Sequence, residues 1–532
     1  MCESKAAMRP ALRLELLDSP GYTPSVRDVG ALLDVLVGED EARSRRAEAA
    51  LARLGEVVSP DAVAFAAKAP PRQKWKILKL LGRTGGREAR SFLEASLEDE
   101  DGKVRRWATS SFARLAQREA EPALIKALAR TTSPTDLRAV VAALGKVGGE
   151  AGLAAIAPLL ERTPPGDETA RVVQKARVIL ERGARRGEES GVDVDARLPR
   201  RTTVRFSCRR GLQSLLLEEL EPGHRVTHVT ASAVDVLHSG SVRELFGPRT
   251  ALSFAFHVEV YVPEGDPAER IAQAVLSPRV RELLARVAVG VVRFRLAFAG
   301  GGHRRALVFR AASLVNAART PLVNDPTDST WSFEIEERSG GRMGLFLTPK
   351  QVQDPRFAYR LADVPAASHP TIAAALARAA RALPDDVVWD PFCGSGLELA
   401  ERALLGPYRS LHGSDVDPGA VEITRRNLES AGVRDAELLV GDAKRIAMPR
   451  DLSLVLTNPP LGRRVARGEH HALLETLLGR LGQGLAPGGR LVWISPSKQL
   501  EAVARASGLS LEQALDVDLG GFTGRVERWR RP

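Results

Sequence analysis

In the C-terminal part of the chain, short strand-like segments are followed one after another by a polar residue. Val387-Val388-Trp389 ends at Asp390, and Leu411-His412-Gly413-Ser414 ends at Asp415. Glu437–Val440 is followed by Gly441-Asp442-Ala443, and Leu452–Leu456 leads into Asn458-Pro459-Pro460-Leu461. Between them lie helix-period segments, Leu397–Leu405, Gly419–Ala431 and His470–Gly484, with Pro418 at the start of the second. Arg490–Ser495 is a fifth run, and Leu511–Arg530 supplies the last strands. Strands alternating with helices predict a parallel sheet wound with helices on both faces. Ligands of such sheets bind at the carboxyl ends of the strands, which is where these polar residues fall.

The first strand is followed by Pro391-Phe392-Cys393-Gly394-Ser395-Gly396 and then a helix. Gly394 and Gly396 let the backbone approach a ligand where a Cβ would clash, and the helix N-terminus favours a carboxylate. This is not the dinucleotide fingerprint, because its third glycine would fall at Leu399. Asp415 lies where the ribose hydroxyls of a nucleoside cofactor would sit. At Asp442-Ala443 the acid can accept from an adenine amino group while a backbone N–H donates to the ring. Alone, each acid reads equally well as a cap or a turn residue; the ordered series is what points to a site.

Asn458-Pro459-Pro460 is the most specific motif. An exocyclic base amine is a poor nucleophile because its lone pair is delocalised into the ring. An amide oxygen and a backbone carbonyl in a fixed turn can accept both of its hydrogens. The prolines lock φ and withhold N–H donors, so the carbonyl of Pro459 can face the pocket. Catalysis is then positioning and electrostatics rather than proton abstraction.

At 532 residues the chain is too long for one core, and a prior of roughly 100–200 residues per domain suggests three. Residues 1–190 read as helical repeats. RRAEAALARLG, KWKILKLLGRTGG, VRRWATSSFARLA and LRAVVAALGKVGG recur at intervals of about 30 residues. Leu137, Val140, Val141 and Leu144 sit at helix spacing, as do Ala47, Ala50, Leu51 and Leu54. A glycine after each stripe, at Gly55, Gly82 and Gly145, predicts a helix stop. Thr163-Pro164-Pro165-Gly166 separates two helices. The faces of such repeats are buried only by stacking, and the pattern resembles HEAT repeats. Arg43, Arg46, Arg72, Lys74, Lys76, Arg105 and Arg106 suggest a surface that binds RNA or protein, or equally a solvated face. Arg182–Asp195, rich in Arg, Glu and Gly, predicts a linker.

Residues 191–363 form a mixed region. Val204, Phe206 and Cys208 alternate with polar residues as in a strand, and a helix follows Gly211. Ala255–Val262, Val291–Phe298 and Trp331–Glu336 read as further strands, and Val308–Thr320 as a strand end followed by a helix. The order predicts an α+β domain of ferredoxin-like type.

The formal net charge is +11, from 77 Lys and Arg against 66 Asp and Glu. That balance suits a phosphate-backbone partner, though arginine-rich codon usage produces it equally well. Cys2, Cys208 and Cys393 are far apart and without Cys-x-x-Cys spacing, which predicts neither disulfide framework nor metal site and fits a reducing compartment. No apolar run reaches the length of a membrane span or signal peptide, so a cytoplasmic location and no membrane partner are expected.

DPFCGSG, GSDVDP, GDA and TNPPLGRR together resemble the RNA methyltransferases that modify base amines, in particular the guanine-N2 group carrying THUMP domains. VRFSCRRGLQSLLLEEL resembles the opening of the ferredoxin-like part of that group, and VNDPTDSTWSFEIE the end of a THUMP domain. Ser368-His369-Pro370-Thr371 matches a proline-bearing segment ahead of the catalytic core. The resemblance covers residues 364–532 well and 202–357 loosely. It implies a HEAT-like solenoid, then an α+β ferredoxin-like and RNA-binding THUMP region, then a doubly wound class I methyltransferase domain. It implies S-adenosylmethionine as cofactor and tRNA or ribosomal RNA as partner. It assigns Asp390, Cys393, Gly394, Ser395 and Gly396 to the methionine part of the cofactor, Asp415 to its ribose, and Asp442 and Ala443 to its adenine. Asn458, Pro459, Pro460 and residue 461 fall to the target amine.

Two positions depart from that group. Leu461 stands where an aromatic residue usually stacks on the target base, a contact worth about 1–3 kcal/mol. Leu397-Glu398 stands where the group has Thr and an apolar residue. Two other readings stay open: a DNA adenine-N6 methyltransferase, which uses the same motif chemistry, and an RNA-binding scaffold in which the repeats do the work.

Overall fold

The computed structural model describes residues 17, 22–164, 166–199, 201–220, 223–300, 304–365, 367–460, 467–495 and 497–532, with only the backbone described at 467–470. Contacts divide the chain into two compact units, Met1–Glu188 and Glu189–Pro532.

The first unit is a stack of helix pairs. Glu41–Leu54, Pro71–Thr84, Gly102–Ala116, Pro134–Val147 and Glu168–Ala184 follow one another in a row. Ser59–Lys68, Arg87–Ala95, Glu121–Arg130 and Glu150–Arg162 pack against them. Starts are set by Asp40 and Asp101, whose carboxylates accept from the first free backbone N–H groups, and by Pro71 and Pro134 in the first turn. The apolar stripes close one continuous core, in which Leu51, Val141 and Leu144 are wholly buried.

The glycines divide into two kinds that the sequence does not separate. Gly55 and Gly85, at φ 70° and 85°, follow the last residue of their helices in a backbone conformation that glycine alone adopts readily. Gly82 and Gly145 do not; they lie inside helices, where successive helices touch. A Cβ at Gly82 would lie 2.7 Å from that of Ser111, and one at Gly145 would lie 2.8 Å from that of Ala176. Gly145→Leu is expected to destabilise this unit by about 1–3 kcal/mol through overpacking, whereas Leu at exposed Ala142 on the same helix should be near neutral. Urea denaturation of both variants checks this.

Several basic residues expected on a binding face spend their charge inside the stack. Asp136, 5% exposed, pairs with Arg105 at 2.5 Å and Arg106 at 2.8 Å, and Lys74 pairs with Asp99 at 2.5 Å. Lys76 donates to the carbonyl of Gly38 at 2.9 Å. Cations here lock neighbouring repeats together, because a buried carboxylate requires a partner. The expected linker is also shorter than its composition suggests. Glu168–Ala184 stays helical past Arg182, and Ser190–Val192 pairs antiparallel with Ala288–Gly290.

The second unit holds two large sheets. The first has eight strands in the order Arg225–Thr230, Ala233–His238, Thr202–Ser207, Ser253–Tyr261, Arg342–Pro349, Trp331–Glu337, Val292–Phe298 and Leu322–Asn324. All neighbours are antiparallel except the last two pairings, which are parallel. Helix Arg305–Ala317 begins before Val308, which therefore ends no strand; Ala311, Ala312 and Val315 bury a helical face that wins over the local apolar run.

The second sheet has seven strands, ordered Glu437–Val440, Ser410–Asp415, Val387–Asp390, Leu454–Thr457, Arg490–Ser495, Thr523–Arg530 and Ser510–Asp518. The first five are parallel and the last two form an antiparallel hairpin against them. Chain order reverses between Val387–Asp390 and Leu454–Thr457, which opens a crevice at their carboxyl ends. This is a doubly wound α/β sheet with an antiparallel hairpin at one edge.

The two sheets are joined through buried chemistry. Arg249, between strands of the first sheet, makes a bidentate pair with Glu401 at 2.6 and 2.8 Å and donates to the carbonyl of Arg356. Glu401 is 1% exposed and also accepts from the Tyr359 hydroxyl at 2.5 Å. Leu212 and Leu215 lie in the core beside the second sheet, with Leu376 and Val526. Gly211, at φ 98°, passes so near the strand Ser510–Asp518 that a Cβ would lie 1.9 Å from the Asp516 carbonyl oxygen.

Candidate active site

The crevice collects residues from five loops and strand ends. Asp390 closes its strand and is wholly buried. Its Oδ1 accepts from the Thr457 hydroxyl at 2.6 Å and from the Phe392 N–H at 3.0 Å, while its Oδ2 has no partner. Burial, and then the nearby charge of Glu398, hold its carboxyl well above the ordinary range. A buried carboxylate oxygen with no donor is costly, and a cationic or hydrogen-bonding ligand would offset that cost.

Gly394 and Gly396 adopt φ 52° and 78°. Gly396 caps the helix Leu397–Leu404, and a Cβ there would press on Thr424 at 2.8 Å. Its N–H donates to the Cys393 carbonyl at 2.6 Å, tightening the turn. Cys393 and Ser395 are buried, and burial pushes the Cys393 thiol up, so it packs as a neutral group. Asp415 ends the neighbouring strand, half-buried. One of its oxygens accepts from the Gly394 N–H at 3.1 Å and the other from the Asp417 N–H at 3.0 Å. Asp442 follows the next strand, half-buried, and accepts from the Lys444 N–H at 2.9 Å. Ala443 is buried beside it.

Asn458 follows the strand Leu454–Thr457 directly. Its Nδ2 donates to Ser368 Oγ at 2.9 Å, and its Oδ1 is shielded from solvent with no partner. Ser368 in turn donates to Glu398 Oε1. Pro459 is buried and Pro460 exposed. Leu461, named with them from sequence, lies outside the described residues.

Four supporting residues escape the motif reading. Thr457 holds Asp390; Thr424 donates to the Gly394 carbonyl at 2.9 Å. Asn427 donates to the carbonyls of Ser395 and Ala362 and accepts from the Leu361 and Ala362 N–H groups, tying residues 361–362 to the glycine loop. Glu398, singled out only as a departure, is 4% exposed at the start of its helix. Thr424 and Asn427 carry a legible signal. They share the helical face of buried Ala420, Val421 and Leu428, where polar residues need partners.

Residues 358–523 match the family described as RMKL-like, methyltransferase domain, and residues 90–176 match HEAT repeats. A tRNA (guanine(6)-N2)-methyltransferase of Thermus thermophilus is 34% identical over 163 residues, 30% of this chain and 48% of that protein. A tRNA (guanine(10)-N2)-dimethyltransferase of Methanothermobacter thermautotrophicus is 30% identical over 134 residues, 25% of this chain and 39% of that protein. The chain thus spans less than half the length of these curated relatives. The crystal structure of TrmN from Thermus thermophilus superposes with a TM-score of 0.52 at 24% identity, covering 62% of this chain and all of that one, a likeness of fold.

Proposed function

We propose that the protein transfers a methyl group from S-adenosylmethionine to an exocyclic base amine in RNA, guanine N2 of tRNA or ribosomal RNA. One observation carries this reading: Asn458 presents a buried, unpartnered amide oxygen beside a glycine loop and an unpartnered Asp390 oxygen. The names of the curated relatives support guanine N2. The α+β region reads as the RNA-binding, THUMP-type part, supported by its resemblance in sequence and by its buried pairing with the catalytic domain through Arg249 and Glu401. Among the described residues no helix is long and apolar enough to cross a membrane, and Cys208 and Cys393 are free buried thiols, in keeping with a reducing cytoplasm.

The residues present fit the cofactor. A Cβ at Gly396 would press on Thr424, Gly394 and Gly396 both hold positive φ angles that disfavour a side chain, and the free Oδ2 of Asp390 suits the cationic methionine end. Asp415 would hold the ribose, and Asp442 with Ala443 the adenine. When bound, the cofactor supplies an electrophilic methyl group on a sulfonium. Asn458 Oδ1 and the Pro459 carbonyl accept the two N–H bonds of the target amine and fix its lone pair toward the reaction axis. No general base is required at the moment of transfer, because the proton leaves after the amine has become cationic.

Incubating the protein with labelled cofactor and bulk tRNA or ribosomal RNA tests the reading; label must enter RNA. Asp415→Ala tests the cofactor assignment. Losing a charged hydrogen bond worth about 1.5–3 kcal/mol should weaken cofactor binding roughly 10- to 100-fold. The melting temperature should fall only modestly, because the Gly394 and Asp417 N–H groups that Asp415 satisfies lie at a half-buried strand end that water can reach. Unchanged affinity in calorimetric titration removes Asp415 from the site.

A further inference from the structure

We propose that Ser368 and Glu398 are positioning residues that hold the Asn458 amide with its oxygen facing the target amine; this rests on the reading of Asn458 given above. A primary amide has two ends, and only one can accept a hydrogen from the substrate. Flipped, it would offer N–H to N–H and repel the amine. Nothing in the Asn-Pro-Pro motif itself decides which end faces the crevice, so the choice must come from neighbours.

Three separate segments converge to make it. Asn458 leaves its strand, Ser368 precedes the helix Pro370–Ala379, and Glu398 lies in the first turn of Leu397–Leu404. Ser368 donates its hydroxyl hydrogen to Glu398 Oε1. With that hydrogen committed, Ser368 Oγ has only lone pairs left for a second neighbour. It can therefore receive the Asn458 Nδ2–H, as it does at 2.9 Å, but has no hydrogen for Asn458 Oδ1. The amide oxygen is left as the unpartnered end. A carboxyl offers an acceptor oxygen in either protonation state, so the arrangement does not require Glu398 to be charged. Burial raises the Glu398 carboxyl above its ordinary range, and the hydrogen bond from Ser368 opposes that rise. This gives a function to one of the residues that depart from the motif of the guanine-N2 group. A carboxylate 4% exposed would otherwise be a cost with no return at an apolar position.

The test is steady-state and single-turnover methyl transfer to bulk tRNA and ribosomal RNA by the full chain, alongside cofactor titration and thermal melts. The variants are Ser368→Ala, Glu398→Met, Glu398→Gln, the double Ser368→Ala/Glu398→Met, and Asn458→Ala. Ser368→Ala and Glu398→Met should each lower kcat about 10- to 100-fold, the scale for misplacing a reacting group, with KM for RNA and cofactor affinity nearly unchanged. Glu398→Gln keeps an acceptor oxygen and should recover most of the rate. The double variant should be no slower than the slower single one, because both act through one amide. If Glu398→Met does not fold, Ser368→Ala beside Glu398→Gln decides the matter. Full activity of Ser368→Ala, multiplicative losses in the double variant, or losses matched by weaker cofactor binding and lower melting temperature overturn the proposal. Wild-type rates in Asn458→Ala overturn instead the underlying reading of Asn458, and the proposal falls with it.

Discussion

Asn458→Ala is expected to lower the rate of methyl transfer by about 100- to 1000-fold, the cost of removing one preorganised group from a site that works by electrostatic positioning. Cofactor affinity should stay within a few fold, because Asp390, Asp415 and the glycine loop are separate from the amide. The contrast is what gives the experiment its force. A variant that simply disturbed the crevice would lose cofactor as well, through the Thr457–Asp390 hydrogen bond one residue away. Single-turnover transfer of labelled methyl groups, read beside calorimetric titration of the cofactor, separates the two outcomes.

Glu401→Ala should destabilise the second unit by about 3–5 kcal/mol, as for breaking a buried ion pair on one side. The carboxylate is almost fully buried and satisfies Arg249 in two places and the Tyr359 hydroxyl in a third. Without it, the Arg249 guanidinium loses its charge partner, and Tyr359, whose hydroxyl is already pushed up by burial, loses its acceptor. Arg249→Ala/Glu401→Ala should lose less than the two single losses added together. Denaturant unfolding of the single and double variants measures that coupling. An additive result would mean that the pair does not act as a unit in holding the α+β region to the catalytic domain.

These predictions draw on different layers of the sequence. The second sheet is legible because short strand-like segments alternate with helical ones, and a polar residue lies at or just beyond the carboxyl end of each of its first four parallel strands. Asp390, Asp415, Asp442 and Asn458 can therefore be placed from the amino-acid pattern alone, and strand ends bring all four to one crevice. The helical repeats are legible from their stripes. Their glycines are not: a cap and a helix–helix contact look alike in sequence, and only packing reveals that Gly82 and Gly145 are contacts. Charge misleads for a similar reason. Arg105 and Arg106 read as a surface because their partner Asp136 is remote in sequence, on the next helix of the row. The residues that tune the site are the best hidden. Ser368 and Glu398 act through side-chain contacts between distant segments, and neither periodicity nor spacing encodes those. Glu398 stands out in sequence only as an acid at an apolar position, a signal whose meaning lies in Ser368 and Asn458 beside it.

Whether this crevice methylates a base amine in RNA is read by mass spectrometry of nucleosides. RNA from cells lacking the gene would be digested and compared with RNA from cells carrying the wild type and from cells carrying Asn458→Ala. N2-methylguanosine, in tRNA or ribosomal RNA, should be present with the wild type and missing in the other two. Equal levels in all three, or a methylated adenine in DNA as the only difference, would contradict it.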